Sequence, residues 1–243
     1  MSAWLSVVGI GEDGLDGLSR SAREAIEGAE LLVGGARHLA MVPEFDGERL
    51  VWPSPLSAGI EVIRERRSRP VCVLATGDPM WCGIGATLVA HVPISEMRVF
   101  IGPSGLSLAA AKLGWPEHEI TPVSLHGRPA ARVERYVAPG ERLLVLSENS
   151  DTPAELAGRL LRRGFGRSRL TVLEHLGGDR EKVREAEADR YDLKDVAPFT
   201  MVAIECIAGE GAEVLATVPG LDDDVFYHDG QLTKREVRAV TLA

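Results

Sequence analysis

A glycine-rich loop near the start of the chain has the spacing of a nucleotide-binding motif. The stretch "GIGEDG" (9–14) follows an apolar run and matches the G-x-G-x-x-G dinucleotide fingerprint. In that fingerprint the third glycine opens a helix whose N-terminus faces the pyrophosphate. Here the helical pattern begins only at about Ser19, and Glu12 and Asp13 would repel a pyrophosphate. We therefore favour a tight acidic turn, with a nicotinamide dehydrogenase kept as the alternative.

A second loop, "LATGDPMWCGIGATL" (74–88), is a better candidate for ligand binding. An apolar strand ends at Thr76, and ligands of open α/β sheets bind where strands end. Gly77 would let a ligand approach the backbone closely, and Pro79 stiffens the turn. Asp78 is a fixed acceptor for a hydroxyl, a cation or an amide. The alternative is that Asp78 only closes an Asx-turn.

A third glycine-rich loop, "FIGPSGLSLAAAKLGWP" (100–116), combines a strand end with the start of a small-residue helix. Ser104 and Gly105 would stand at the N-terminus of that helix, where backbone N–H groups are free to bind a ligand. A plain helix cap is the equally supported alternative.

Two further loops carry basic side chains. Arg37 and His38 follow a Gly-Gly pair at a strand end, and His126 and Arg128 flank a glycine in "VSLHGRP" (123–129). Such arginines would grip carboxylates through a bidentate fork. The alternatives are a capping or solvated role. We assign no role to the other histidines, which are His91, His118 and His175.

These loops lie between alternating strand and helix patterns, which predict an α/β fold with a mainly parallel sheet. The helical patterns include one with a capping box at Ser21 and Glu24, and one that begins with Thr152 as N-cap and ends at Gly164. The apolar runs predict strands at 4–9, 30–35, 49–52, 70–77, 97–102, 142–147, 169–176 and 199–208.

Breaks in the periodicity divide the chain into three parts. Two prolines and a charge cluster near 113–122 predict an N-terminal α/β domain over 1–116 and a C-terminal α/β domain over 117–210. A second boundary falls near Gly209–Leu221. The segment 211–243 then opens with an acidic run and ends in a new helical pattern, which we interpret as a linker and the start of a further domain.

Composition limits the function. The 243 residues carry a formal net charge of -9, which argues against a nucleic-acid partner. The sequence shows no apolar run long enough to span a membrane and no signal peptide. Three widely spaced cysteines indicate a reducing, cytoplasmic location. We expect no bound metal, since no Cys/His cluster has ligand spacing.

Taken in order, these loops resemble the tetrapyrrole methylases. The motifs "VVGIGEDGLDGLS", "VGGARHL", "LATGDPMWCGIG", "GPSGLSLAAAKLGWP", "VSLHGR" and "LEHLGGDREKV" carry the resemblance over about residues 3–208. Most of that family has G-x-G-P-G-D-P in the first loop, whereas this chain reads "GIGEDGL". The resemblance implies two α/β domains with S-adenosyl-L-methionine in the cleft between them, a homodimer, and a role in cobalamin biosynthesis.

The resemblance also implies an activity and its residues. The branch with "GGARHL" and "VSLHGR" methylates a precorrin, and we expect carbon 5 to be the site. Substrate carboxylates would bind Arg37 and Arg128, and His126 or His38 would act as general base. The implied cofactor contacts are Gly77, Asp78, Trp81, Ser104, Gly105, Ser147 and Met201.

The tail "HDGQLTKREVRAVTLA" (228–243) resembles the first residues of a decarboxylating methyltransferase domain, which would be fused C-terminally. Two alternatives to the expected activity stay open. One is another methylase of the family with a different substrate carbon, and the other is a non-catalytic docking domain.

Overall fold

A computed structural model describes residues 3–214, 219–226 and 228–241. The described chain forms two five-stranded sheets, with β1 to β5 in the first and β6 to β10 in the second. The strands are β1 (Leu5–Ile10), β2 (Leu31–Gly34), β3 (Glu48–Val51), β4 (Val71–Thr76), β5 (Met97–Phe100), β6 (Ile120–Ser124), β7 (Arg142–Leu146), β8 (Arg169–Glu174), β9 (Lys182–Glu187) and β10 (Thr200–Glu205).

The first sheet is fully parallel, as the apolar runs predict. Its strands lie in the order β3-β2-β4-β1-β5, and Val7 of β1 pairs with Val73 of β4. Hydrophobic clusters cover both faces, so β1, β2 and β4 consist almost entirely of buried residues. Burial on both faces is the reason why these strands read as continuous apolar runs.

The second sheet corrects the expectation of a mainly parallel arrangement. Its order is β6-β7-β10-β8-β9, and only β6 and β7 run parallel. The two strands that the sequence patterns missed are the edge strands. Pro122 lies in the middle of β6, and β9 ("KVREAE") exposes charged side chains. Proline and charge are typical of sheet edges, where they prevent unwanted pairing but also weaken the strand pattern.

Within the described residues, seven α-helices connect and flank the strands. The predicted cap of α1 is wrong by two residues, because Ser19 rather than Ser21 accepts the hydrogen bond from the backbone N–H of Ala22. Thr152 is the first residue of its helix rather than the N-cap, which is Asp151. The helices are α1 (Arg20–Glu27), α2 (Ala36–Ala40), α3 (Leu56–Glu65), α4 (Ile84–Leu88), α5 (Gly105–Leu113), α6 (Thr152–Arg162) and α7 (Arg235–Thr241).

Helix α5 belongs by its packing to the second sheet. Its buried Ala109 and Ala110 contact Leu144, Leu173 and Ala203 of β7, β8 and β10. The chain thus crosses between the sheets in the loop before α5, and the domain boundary at 116/117 stays a prediction. Part of the second predicted boundary, residues 215–218, lies outside the described residues. No helix in the described ranges is long and apolar enough to cross a membrane.

Candidate functional site

Three glycines hold the glycine-rich loops of the first sheet together. The backbone N–H of Gly77 donates to the carbonyl of Ile10, and that of Gly102 donates to the carbonyl of Gly77. A Cβ added at Gly9 would lie 1.6 Å from the carbonyl oxygen of Gly77. The first glycine of the apparent fingerprint therefore permits backbone packing of β1 against the β4 loop.

A cavity of about 190 Å³ opens where the two sheets face each other. From the first sheet it is lined by the loops that follow β1, β4 and β5. From the second sheet it is lined by the ends of β7 and β8 and by the start of β10. Because β10 lies between β7 and β8, Met201 lies beside both Leu146 and Leu173.

Six of the predicted site residues line this cavity. They come from five different loops and strand ends, and they present glycine backbone, one large aromatic ring, a hydroxyl, a thioether and an imidazole. They are Gly77, Trp81, Gly105, Ser147, Met201 and His126. The structure therefore brings together residues that are up to 124 positions apart, from Gly77 to Met201. Their roles remain predictions.

Two predicted cofactor contacts are not among the lining residues. Asp78 Oδ1 accepts a hydrogen bond of 2.8 Å from the backbone N–H of Met80, which is the Asx-turn alternative. Ser104 is the N-cap of α5, and its Oγ accepts from the backbone N–H of Ser107 at 3.0 Å. Both side chains shape the loops that form the cavity wall.

The predicted basic residues divide into two groups. His126 lines the cavity with a side chain that is 69% exposed, and its Nδ1 lies 3.5 Å from Glu148 Oε2. Arg128, in the same loop, is exposed and is not a lining residue.

Arg37 and His38 are not among the lining residues of the cavity. The Nη2 of Arg37 donates to Thr76 Oγ1 at 2.9 Å, and His38 Nε2 lies at the same distance from that hydroxyl. Burial and the positive charge of Arg37 lower the pKa of His38 to about 4, against a smaller opposing effect of Glu12. His38 is thus neutral at pH 7 and a weak base.

The structure adds a charged cluster that sequence reasoning did not assign. The Glu12 side chain is only 6% exposed and pairs with Arg37. Its Oε2 lies 2.8 Å from His175 Nδ1 and 3.4 Å from Arg180 Nη2. Burial alone would raise the pKa of Glu12, but the hydrogen bond to His175 and the charges of Arg37, His175 and Arg180 outweigh it and lower the pKa.

We call Glu12, Arg37, His175 and Arg180 the Glu12 cluster. Glu12 and His175 also line the cavity. The signal for the cluster in the sequence is the acidic first loop, whose charges argue against pyrophosphate binding. The pairing of that loop with His175, 163 residues away, could not be inferred from spacing.

The lining residues fit S-adenosyl-L-methionine. The cavity wall is mostly backbone and apolar side chains, which suits an adenosyl group better than a set of fixed charges would. Ser147 Oγ is buried, and within the described part of the chain it has no hydrogen-bond partner. A buried hydroxyl without a partner is unfavourable unless a ligand or water completes it. In the same described ranges, no group of three or more acidic, cysteine or histidine side chains is placed to hold a metal ion.

Comparison with known proteins decides the family. The family model for tetrapyrrole (corrin/porphyrin) methylases matches residues 5–191. This chain belongs to the tetrapyrrole methylase family. The match spans both sheets and every strand except β10, so the resemblance carried by the loop motifs is confirmed.

Three relatives within the family are informative. A precorrin-6Y C(5,15)-methyltransferase [decarboxylating] from Sinorhizobium sp is 47% identical over 244 residues, which cover 100% of this chain and 59% of the relative. A cobalt-precorrin-7 C(5)-methyltransferase from Salmonella typhimurium is 34% identical over 74% of this chain and 88% of its own. The crystal structure of a precorrin-6Y methylase from Archaeoglobus fulgidus has a TM-score of 0.66 and 27% identity, covering 84% of this chain and 99% of that one.

Proposed function

We propose that this chain is an S-adenosyl-L-methionine-dependent C-methyltransferase of cobalamin biosynthesis that methylates carbon 5 of precorrin-6Y or precorrin-6B. The relative named for both carbons is longer than this chain, whereas the relative named for carbon 5 alone is covered over 88% of its length. That difference favours carbon 5. The alternatives are another methylase of the family with a different substrate carbon and a non-catalytic docking domain.

The observation that carries the proposal is the cavity between the sheets, where the buried hydroxyl of Ser147 has no hydrogen-bond partner among the described residues. When bound, S-adenosyl-L-methionine supplies an activated methyl group, so the protein's share is positioning and exclusion of water. Gly77, Trp81, Gly105, Ser147 and Met201 would hold it through backbone, hydroxyl and apolar contacts. Asp78 and Ser104 would act by fixing the loops that carry those contacts.

His126 is the general base that we propose. Methylation of a ring carbon adds a methyl group to the tetrapyrrole, and the tetrapyrrole must lose a proton in return. His126 and His175 both line the cavity, but Nδ1 of His175 is held by Glu12. His38 has a pKa of about 4 and would be a weak base at neutral pH. Arg37 and Arg128 are the proposed contacts for substrate carboxylates.

The deciding experiment is a calorimetric titration with S-adenosylhomocysteine, with NAD as the control. We expect micromolar binding of S-adenosylhomocysteine and no binding of NAD. Binding of NAD alone would restore the dinucleotide interpretation of the 9–14 loop. Binding of neither ligand would favour the docking domain.

A glycine substitution tests whether the ligand occupies this cavity. A Cβ at Gly105 would lie 2.8 Å from Met201 Sδ and 3.4 Å from Trp81 Cζ3, so Gly105→Ala should push these side chains into the cavity. We expect at least a tenfold loss of S-adenosylhomocysteine affinity. The control is Gly158→Ala on α6, where the nearest atom is the end of Arg162 at 3.5 Å. That variant should bind normally and gain up to about 1 kcal/mol of stability.

Three features of the larger assembly complete the proposal. We propose a cytoplasmic homodimer whose domains are 1–116 and 117–210. Since the chain spans 59% of the Sinorhizobium relative, we propose that residues 211–243 link it to a decarboxylating methyltransferase domain. Light scattering of this chain would test the homodimer.

A further inference from the structure

The Glu12 cluster lies at the rim of the cavity and joins the two sheets. Glu12 follows β1 of the first sheet, and Arg37 stands on α2 beside it. His175 and Arg180 follow β8 of the second sheet. The approach is close, since a Cβ added at Gly178 would lie 2.5 Å from the Cβ of Glu12.

The charges of the cluster do not cancel. Two arginines face one carboxylate, so the cluster carries a net positive charge even when His175 is neutral. The carboxylate of the neighbouring Asp13 lies against Gly17 of its own loop. The Arg180 side chain is 69% exposed and touches Glu12 only at 3.4 Å, so its guanidinium is open to a ligand.

An aromatic surface completes the rim. The guanidinium of Arg37 stands 4.2 Å from the centre of the Phe199 ring, and the His175 ring is 5.8 Å from the same ring. Phe199 lines the cavity. A cationic group fixed over an aromatic ring, next to an apolar cavity, fits a ligand that is both flat and acidic.

We propose that Arg37, His175 and Arg180 form a subsite that binds a carboxylate side chain of the tetrapyrrole, with Glu12 as the positioning residue. This inference rests on the proposed function for the identity of the ligand. Arg180 provides a guanidinium that is open to the ligand. Glu12 holds in place both Arg37, which belongs to the first sheet, and His175, which follows β8 of the second sheet. Recognition of one acidic side chain at this rim would fix the orientation of the macrocycle in the cavity.

The test compares a stable free-acid corrin, cobyrinic acid, with its heptamethyl ester, in which every carboxylate is blocked. The wild-type chain should bind the free acid at least tenfold more tightly than the ester in the presence of S-adenosylhomocysteine. Arg180→Gln should raise the dissociation constant of the free acid about tenfold and leave that of the ester unchanged. Glu12→Gln should weaken binding of the free acid as well, because Arg37 and His175 lose their common anchor.

The matched control is Arg190→Gln, which removes an arginine of the second sheet that is 80% exposed and 3.7 Å from its partner Glu187. It should change neither dissociation constant. Equal wild-type affinity for acid and ester, or an Arg180→Gln variant that binds the acid as the wild type does, would overturn the subsite. If either result occurs while S-adenosylhomocysteine still binds normally, the subsite is wrong but the proposed methyltransferase function stands. If the wild-type chain does not bind S-adenosylhomocysteine, the proposed function is wrong as well.

Discussion

At the scale of single residues, Ser147 separates a role in binding from a role in folding. Its buried hydroxyl finds no partner among the described residues, so Ser147→Ala removes an unsatisfied group and should leave the free energy of unfolding within about 1 kcal/mol of the wild type. The same change should reduce S-adenosylhomocysteine affinity about threefold to tenfold, the value of one hydrogen bond. Urea unfolding and calorimetry measure the two effects.

Ser168→Ala is the control variant, since it should change the free energy of unfolding and not the ligand affinity. Ser168 is fully buried, and its Oγ accepts a hydrogen bond of 3.0 Å from the backbone N–H of Ile207. Its removal leaves that N–H unpaired and should lower the free energy of unfolding by about 1–3 kcal/mol without changing ligand affinity. If the two serine variants behaved alike, Ser147 would have no special part in binding.

Glu12 should make stability depend on pH. Its pKa is lowered in the folded protein, so it contributes stability that is fully present above the ordinary value of 4.5 and is lost as the pH falls through the lowered value. Glu12→Gln should therefore lower the free energy of unfolding by about 1–3 kcal/mol near pH 7. The difference from the wild type should shrink at about pH 3.5.

Urea unfolding at the two pH values measures this difference. The control is Asp16→Asn, an almost fully exposed carboxylate in the same loop, which should stay within about 0.5 kcal/mol of the wild type. A Glu12→Gln difference that is constant with pH would mean that the carboxylate charge does not hold the cluster together.

At the scale of elements, Gly9 joins β1 to the loop after β4. A Cβ there would collide with the carbonyl of Gly77, so Gly9→Ala should lower the free energy of unfolding by about 3 kcal/mol or more. Gly14→Ala is the comparison, since Gly14 has a φ of +62° but open space around it and should lose only about 1–2 kcal/mol. Equal losses in urea unfolding would show that the close approach to the carbonyl of Gly77 is not what makes the glycine at position 9 necessary.

The same elements show what a sequence can predict. The buried strands β1, β4, β7, β8 and β10 were recognisable because both of their faces are covered, which leaves an uninterrupted apolar run. The edge strands β6 and β9 were missed, because Pro122 and alternating charges obscure the pattern. The sequence also could not show that β10 runs antiparallel to its neighbours, since an apolar run looks the same in a parallel and in an antiparallel strand.

The residues of the candidate site also divide into those that the sequence could predict and those that it could not. Residues carried by glycine-rich loops, such as Gly77 and Gly105, were predictable because the loop motif itself marks the strand end. The Glu12 cluster was not, since it depends on two loops that meet only after both sheets have formed. Likewise, His38 and Arg128 had suitable chemistry, but their place relative to the cavity depends on tertiary packing.

At the scale of the whole molecule, net charge and local charge act in opposite directions on an acidic substrate. The net charge of -9 repels polycarboxylates at long range, and salt at physiological strength screens that repulsion beyond about 8 Å. A contact between a carboxylate and the Arg180 guanidinium is shorter than that range and is screened much less. The arginines at the mouth of the cavity can therefore attract an acidic ligand although the protein as a whole is negatively charged. This attraction acts only at the mouth of the cavity.

Because both sheets line the cavity, a ligand bound there should stabilise both halves of the chain together. At a ligand concentration about 100-fold above its dissociation constant, S-adenosylhomocysteine should add about 2.7 kcal/mol to the free energy of unfolding. Hydrogen exchange should then slow in β4 of the first sheet and in β10 of the second by similar factors. The Gly105→Ala variant at the same ligand concentration serves as the control and should show both changes to a smaller extent, with about 1.4 kcal/mol of added stability if its affinity is tenfold lower. Protection confined to one sheet would place the ligand outside the shared cavity, because only a ligand that contacts both sheets can couple their opening.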